Sequence, residues 1–336
     1  MARSSDDFVL AWSSLSCQVG DSGWQAISLS CAGSLEIQAG LRSPGKEEAV
    51  LFYFPNARLM RGDKLPEGHG FSVDKIEALD GNGTRLAITR QADGNIELFT
   101  SMVCDLVGFI DSTAADETES KLLQSLIRRV LTWQQFMSHR SGPLSSEDEL
   151  GLVGELYFLK IFLSVPLPPI EILTSWVGPK DAPQDFLIGT GAIEVKATMS
   201  SSGFPVKIGN LEQLDDAVAT PLYLAAVKFT ATEDGETLSE IILSIETLLK
   251  DEPDSVNLLY ERLMLAGYLE SHERHYVRKF KPKEHFVFSV SERFPRLTLG
   301  SVPSGVTRAM YEINLDHAKD FLVEIDAALN KLGVTG

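Results

Sequence analysis

One mid-chain stretch, Ala182 to Thr198 (APQDFLIGTGAIEVKAT), constrains the fold more than any other. It reads as a β-hairpin with strand one at Asp185 to Ile188 and strand two at Ala192 to Thr198. Side chains alternate along a strand, so Ile193, Val195 and Ala197 take one face and Glu194, Lys196 and Thr198 the other. Gly189-Thr190-Gly191 supplies the residues that reach positive φ in a tight turn. A two-residue Gly189-Thr190 turn sets Asp185 opposite Glu194, and a Thr190-Gly191 turn sets it opposite Lys196. Opposed residues share a face, so either turn brings Asp185, Glu194 and Lys196 together. A plain three-residue loop would send Asp185 to the other face.

Two carboxylates and an ammonium on one face of an apolar hairpin are costly unless they are paired or hold a metal. The chemistry they suit is hydrolysis of a phosphodiester. Hard oxygen ligands hold Mg²⁺ (or Mn²⁺), which keeps open positions for water and phosphate oxygens. Such a metal acidifies a bound water, and a lysine beside it orients that water or balances developing charge. About one Glu-x-Lys is expected by chance in a chain of this length. A second copy, Glu119-Ser120-Lys121, lies in a polar run without strand alternation and reads as a solvated helix start.

Upstream, Ser146-Glu147-Asp148-Glu149 has the form of a capping box opening a helix from Leu150 to Phe162. Glu155 is the only acid inside that helix, and Gly151, Leu152, Phe158 and Leu159 are its helical neighbours. A carboxylate on an apolar face needs a partner. Gly151 and Gly154 each cost about 1 kcal/mol of helix propensity, which points to close approach by another backbone or a metal site.

Gln184-Asp185, eight residues, then Glu194-Val195-Lys196 resembles the signature of the PD-(D/E)XK nuclease superfamily, with glutamine where proline is usual. The resemblance implies metal contacts from Asp185, Glu194 and the Val195 carbonyl, completion of the site by Glu155, and a nucleophile-positioning role for Lys196. It also implies a place for Gln213 near the phosphate or the attacking water. The runs Gly151 to Leu156, Trp176-Val-Gly-Pro179, Gln184-Asp185-Phe186, Glu194 to Thr198 and Asn210 to Leu214 resemble a family of uncharacterised bacterial proteins assigned to that superfamily. Its genes often stand beside restriction and phage-defence genes. The implied activity is Mg²⁺-dependent DNA cleavage by a restriction or defence endonuclease, with DNA and defence-system proteins as partners and a homodimer compatible. The rival expectations are a catalytically silent adaptor of the same fold that binds DNA or a partner protein, and a nuclease that acts on RNA.

The implied architecture is a mixed α/β, restriction-endonuclease-like core with a mixed sheet flanked by helices, preceded by a smaller β-rich domain. The expected boundaries are 1–112 for the β-rich domain and 113–336 for the core with C-terminal helical additions. Strands are expected at Trp24 to Ser30, Ser34 to Gln38, Ala49 to Phe54 and Thr84 to Arg90. Arg58 to Lys64 reads as an exposed basic loop, His69 as an inert loop residue and Gly81-Asn82-Gly83 as a turn. A long helix is expected over Glu117 to His139, with a stripe of Leu122, Leu126, Val130, Trp133 and Met137. After the hairpin come a third strand (Phe204 to Ile208), a short helix (Glu212 to Val218), a fourth strand (Leu222 to Phe229) and helices at Leu238 to Lys250 and Asp254 to Ala266. Late strands follow at His285 to Val290 and Ala309 to Ile313, then a C-terminal helix at Ala318 to Leu329.

A formal net charge of −17 over 336 residues opposes general phosphate binding. The most basic stretch, His272 to Lys283, carries Arg274, Arg278, Lys279 and Lys281 interleaved with Tyr276 and Phe280, a composition that suits DNA contact. An edge strand guarded by lysines has the same composition. Cys17, Cys31 and Cys104 lack metal-ligand spacing, no apolar run is long enough for a membrane span, and the N-terminus lacks a signal-peptide core. The expected location is the cytoplasm. No phosphate-binding glycine loop is present, so any nucleotide-driven step belongs to a partner.

Overall fold

The computed structural model describes residues 5–17, 23–59, 65–68, 70–76, 83–115, 117–139, 142–180 and 182–334. The basic loop, His69 and the Gly81-Asn82 turn fall wholly or largely outside them. The chain divides into two compact units, Met1–Ser141 and Gly142–Gly336.

The first unit holds α1 (Ser5–Ser16), strands β1 (Gly23–Ala32), β2 (Leu35–Ser43), β3 (Glu47–Phe54), β4 (Glu67–Gly68), β5 (Phe71–Ile76) and β6 (Thr84–Arg90), then α2 (Ile96–Thr113) and α3 (Glu119–His139). The strands form one antiparallel sheet in the order β1-β2-β3-β6-β5-β4. The apolar run in β3 is buried as its composition predicts. Helix α1 buries Phe8, Ala11, Trp12 and Leu15 at helical spacing, and Trp12 Nε1 donates to the Ala49 carbonyl at 2.9 Å. Helix α2 replaces what strand signals alone describe as the end of a β domain. Asn95 caps it, accepting from the N–H groups of Glu97 and Leu98.

The long helix belongs to this unit, not to the second as the 112/113 boundary supposed. Asp105 on α2 takes both Arg129 Nε (2.8 Å) and Nη2 (2.6 Å), and also Trp133 Nε1 (2.7 Å). Leu122, Leu126, Val130 and Trp133 are buried, while Met137 is only partly so. Glu119 is not a free helix start. It accepts hydrogen bonds from the Asn56 N–H (2.7 Å), Asn56 Nδ2 (2.8 Å) and the Ser34 hydroxyl, tying α3 to the sheet.

The second unit begins with α4 (Ser146–Phe162), α5 (Pro169–Ser175), β7 (Phe186–Ile188), β8 (Gly191–Thr198), β9 (Pro205–Ile208), β10 (Leu222–Thr230), α6 (Leu238–Leu248) and α7 (Pro253–Leu265). It ends with β11 (Lys281–Val290), β12 (Tyr311–Asn314), β13 (Leu322–Val323) and α8 (Ile325–Lys331). Five strands form a mixed sheet ordered β13-β11-β10-β8-β7, in which β8 and β10 run parallel and the other pairs antiparallel. The central strand β10 is buried over Leu222 to Phe229, as a strand covered on both faces must be. One core joins α4, α5, α6 and α7 to Ile193, Val195, Ala225 and Val227. A second core, on Ala192, Leu224 and Ala226, includes Phe204, Val206, Leu214, Phe294 and Ile313. The expected α/β class with a mixed sheet flanked by helices is the one observed.

Four local expectations fail. Strand β9 forms but leaves the main sheet and pairs antiparallel with β12, Ile208 opposite Tyr311. No helix forms over Glu212 to Val218, because short polar side chains take its N–H groups. Asn210 Oδ1 accepts from Glu212 N (3.1 Å) and Gln213 N (2.9 Å), and Asp215 Oδ1 from Ala217 N (3.0 Å). The C-terminal helix is broken, since Leu322 and Val323 pair with Phe288 and Val287 at the sheet edge and only Ile325–Lys331 is α-helical. The cap of α4 also lies one residue early: Ser145 Oγ accepts from Asp148 N at 3.1 Å.

Candidate active site

The hairpin closes with Gly189-Thr190 at its tip. Phe186 pairs with Ile193, Leu187 with Ala192 and Ile188 with Gly191, so the same register sets Asp185 against Glu194. Gly189 has φ +58°, and a Cβ there would lie 1.8 Å from the Leu332 carbonyl, so both conformation and space demand glycine. Thr190 N donates to that carbonyl at 2.9 Å, pinning the tip to the end of α8.

Across the strands, Asp185 Oδ2 accepts the Val195 N–H at 2.7 Å. The Asp185 carbonyl in turn accepts from Val177 N (2.8 Å) and Gly178 N (2.9 Å). Glu194 is 1% exposed, and Lys196 Nζ stands 2.7 Å from its Oε1 with the lysine side chain 15% exposed. Lys196 and the Asp185 N–H are its polar neighbours, though neither meets strict hydrogen-bond geometry. Lys196 Nζ also donates to Gln213 Oε1 at 3.1 Å, which takes Gly209 N at 2.8 Å as well.

Helix α4 brings Glu155 to the same place. A Cβ on Gly154 would lie 2.7 Å from Ala197 Cβ, so glycine lets α4 sit against β8. Gly151 has nothing within 4 Å and plays no such part. Trp176 Nε1 donates to Glu155 Oε2 at 2.6 Å. A Cβ on Gly178 would lie 2.7 Å from Asp185 Oδ1 and 3.3 Å from Glu155 Oε2, so both carboxylates converge on one point.

Burial dominates the electrostatics. It raises the Glu155 carboxyl well above its ordinary range, helped by the Asp185 charge and opposed by the Trp176 hydrogen bond. Burial pushes Glu194 up to about 8, with Asp185 adding to the shift and Lys196 opposing it. Asp185 is raised by burial, with Lys196 and the Val195 N–H pulling the other way. Lys196 is raised although burial lowers it, because Glu194 and Asp185 outweigh burial.

No group of three or more His, Cys, Asp or Glu forms a ready metal cage among the described residues. Mg²⁺ does not need one, since it is held by one or two carboxylates and completes its shell with water and phosphate. The buried Glu194 carboxylate, its Oε1 paired with Lys196 Nζ and set beside Asp185, suits such an ion.

The structure thus brings together Glu155, Asp185, Glu194, Lys196 and Gln213. The basic stretch is occupied elsewhere. Arg278 pairs with Glu149 (2.8 Å) and donates to the Ser146 carbonyl, Lys279 Nζ donates to the Glu233 carbonyl (2.8 Å), and Lys281 pairs with Asp234. Arg274 Nε reaches only His275 Nε2, at 3.4 Å. Tyr276 and Phe280 are buried and do not offer stacking faces. The sequence pattern assigned no role to Trp176 or Gly178, although both stand in the short Trp-Val-Gly-Pro run. It also missed Gln184, whose buried Nε2 donates to the Glu212 carbonyl at 2.9 Å and so ties the hairpin to the turn bearing Gln213.

A protein-family model, DUF4420, described as "Putative PD-(D/E)XK family member", matches residues 9–316. No curated protein and no solved structure matches the chain. With its acidic hairpin, its glutamate-bearing helix and a family match over nearly its whole length, the chain belongs to the DUF4420 family of PD-(D/E)XK-type proteins.

Proposed function

We propose that this protein is a divalent-metal-dependent phosphodiesterase that cuts DNA, acting as a restriction or phage-defence endonuclease. The observation that carries the reading is the buried, hydrogen-bond-poor Glu194 carboxylate set beside Asp185 and Lys196. Asp185, Glu194 and the Val195 carbonyl are the ligands for Mg²⁺ or Mn²⁺, with Glu155 completing the set. The ion, when bound, acidifies water and stabilises charge on the phosphate.

The chain's own groups do the rest. Lys196, held in its protonated form by Glu194 and Asp185, orients the attacking water and offsets charge as it develops. Gln213 fixes the lysine through its oxygen, leaving its amide N–H groups to donate to a phosphate oxygen. Trp176 keeps Glu155 directed into the site. The defence setting rests on the family resemblance alone. A cytoplasmic location fits free Cys17 and Cys104 and the absence, among the described residues, of a helix long and apolar enough to cross a membrane.

The adaptor reading draws on the −17 net charge and on the internal engagement of Arg278, Lys279 and Lys281. Plasmid cleavage with Mg²⁺ or Mn²⁺ decides between the two. The enzyme reading expects nicking by the wild type that Asp185→Ala and Lys196→Ala each lose. Equal activity in the Asp185→Ala, Lys196→Ala double variant would overturn it.

A further inference from the structure

The stretch between β11 and β12, residues 291–310, has no helix or strand. Irregular segments of this length inside a compact unit usually serve a function. This one is anchored rather than loose. Phe294 is buried with its ring 5.3 Å from that of Phe321. Arg296 donates to the Leu214 carbonyl and pairs with Asp216 at 2.8 Å. Tyr311 OH receives the Leu297 N–H at 2.9 Å and donates to the Leu297 carbonyl at 3.3 Å, closing the neck of an Ω-shaped loop.

Both anchors lie at the candidate active site. Leu214 follows Gln213, which holds Lys196, and Tyr311 pairs with Ile208, next to the Gly209 that also binds Gln213. The loop therefore rises beside the lysine. From Arg293 to Met310 it contains no acidic residue, in a chain with 47 acids against 30 lysines and arginines. Arg293 and Arg308 are exposed and make no ion pair or hydrogen bond with the described residues. Leu299 and Met310 are 51% and 66% exposed, and Thr298 and Thr307 add neutral donors.

We propose that this loop is the chain's DNA contact, with Arg293 and Arg308 on backbone phosphates and Leu299 and Met310 against sugar and base faces. The assignment rests on reading the acidic centre as a nuclease site. It replaces the stretch at 272–283, whose cations and aromatics are largely committed within the chain. Unpaired arginines on a loop anchored at the cleavage centre supply positive charge of the kind that phosphate binding requires. Exposed apolar side chains beside them fit the wedge-like contacts seen in DNA grooves.

The test measures binding separately from cleavage. A labelled duplex DNA is titrated with the full chain over a salt series, without metal and with Ca²⁺. Arg293→Ala, Arg308→Ala together should lower the salt slope by about 2, one per phosphate contact, with an unchanged melting temperature because neither side chain is tied down. An unchanged slope and affinity would overturn the proposal, as would a wild type that binds no duplex DNA under either condition. Loss of self-association in Leu299→Ser, Met310→Ser, with the arginine pair leaving the slope unaltered, would assign the loop to a protein contact and likewise overturn it. DNA binding that depends on these arginines, in a chain that never cleaves, would uphold the loop assignment while sinking the nuclease reading.

Discussion

Asp185 Oδ2 accepts the backbone N–H of Val195 at 2.7 Å, so a side chain of one hairpin strand occupies a hydrogen-bond position of the other. The bond holds the carboxylate in place without metal and ties it to the residue whose carbonyl is proposed as a ligand. Asp185→Asn can keep an oxygen acceptor for that N–H and should fold with little change in melting temperature, yet lose metal-dependent cleavage. Asp185→Ala leaves the N–H unpaired, a cost of about 1–3 kcal/mol, partly offset by removing a carboxyl that burial disfavours. Thermal melts read beside plasmid cleavage check this, and a cleavage-competent Asp185→Asn would remove Asp185 from the centre.

The raised Glu194 carboxyl makes metal-free stability depend on pH. In the unfolded chain it ionises at the ordinary glutamate value of 4.5, and in the folded chain at about 8. Below pH 4.5 it is protonated in both states and its contribution is fully present. Between 4.5 and 8 the unfolded state releases the proton first, so stability is lost as pH rises through that window. Metal should reverse the trend, because it binds the ionised carboxylates. Melting temperatures from pH 5 to 8 with and without Mg²⁺ measure the effect, and Glu194→Gln should flatten both curves. A glutamine variant with the wild-type pH dependence would refute the assignment.

Gly154 and Gly151 form an internal control on helix α4. Gly154→Ala places a methyl 2.7 Å from Ala197 Cβ. The gain in helix propensity is about 1 kcal/mol, and overpacking costs about 1–3 kcal/mol. Net destabilisation is expected, with reduced cleavage as β8 shifts. Gly151→Ala meets nothing within 4 Å and should stabilise by roughly 0.5–1 kcal/mol. Denaturant titration of both variants gives the comparison, and equal effects would show that α4 is not held against β8 through Gly154.

Trp176 acts on Glu155 through one hydrogen bond. That bond lowers the carboxyl, against burial and Asp185, which raise it. Trp176→Phe keeps most of the ring and removes the donor, so Glu155 should ionise at higher pH. The acid limb of the cleavage pH profile should move upward and the rate at neutral pH should fall. A profile that drops in amplitude without moving would mean that Trp176 serves packing alone.

Much of the centre was legible because its signals are local. Alternation along Ala192 to Thr198 and a glycine at the tip determined that Asp185, Glu194 and Lys196 share a face, and the register selected one of two turns the sequence left open. Helix α4 was legible from its acidic first turn and apolar run, and β1, β2, β3 and β6 from alternation and one apolar stretch, whereas β4 and β5 were not expected. Helix α2 was not expected, although Asn95 caps it and Leu98, Met102, Leu106 and Ile110 recur at helical spacing, because the strand signals before it were carried on to its end.

What only the tertiary structure decided depends on partners far apart in the chain. Arg278 looked free until Glu149 met it, and α3 changed unit because Asp105 holds Arg129 and Trp133. Strand β9 left the main sheet for Tyr311 to Asn314, more than ninety residues away. The expected C-terminal helix gave way where Leu322 and Val323 found an open strand edge. Sequence periodicity records which side of a strand or helix is apolar. It does not record which distant charge or edge will satisfy a polar group, and that pairing placed Gln213 on Lys196 and the 291–310 loop beside it.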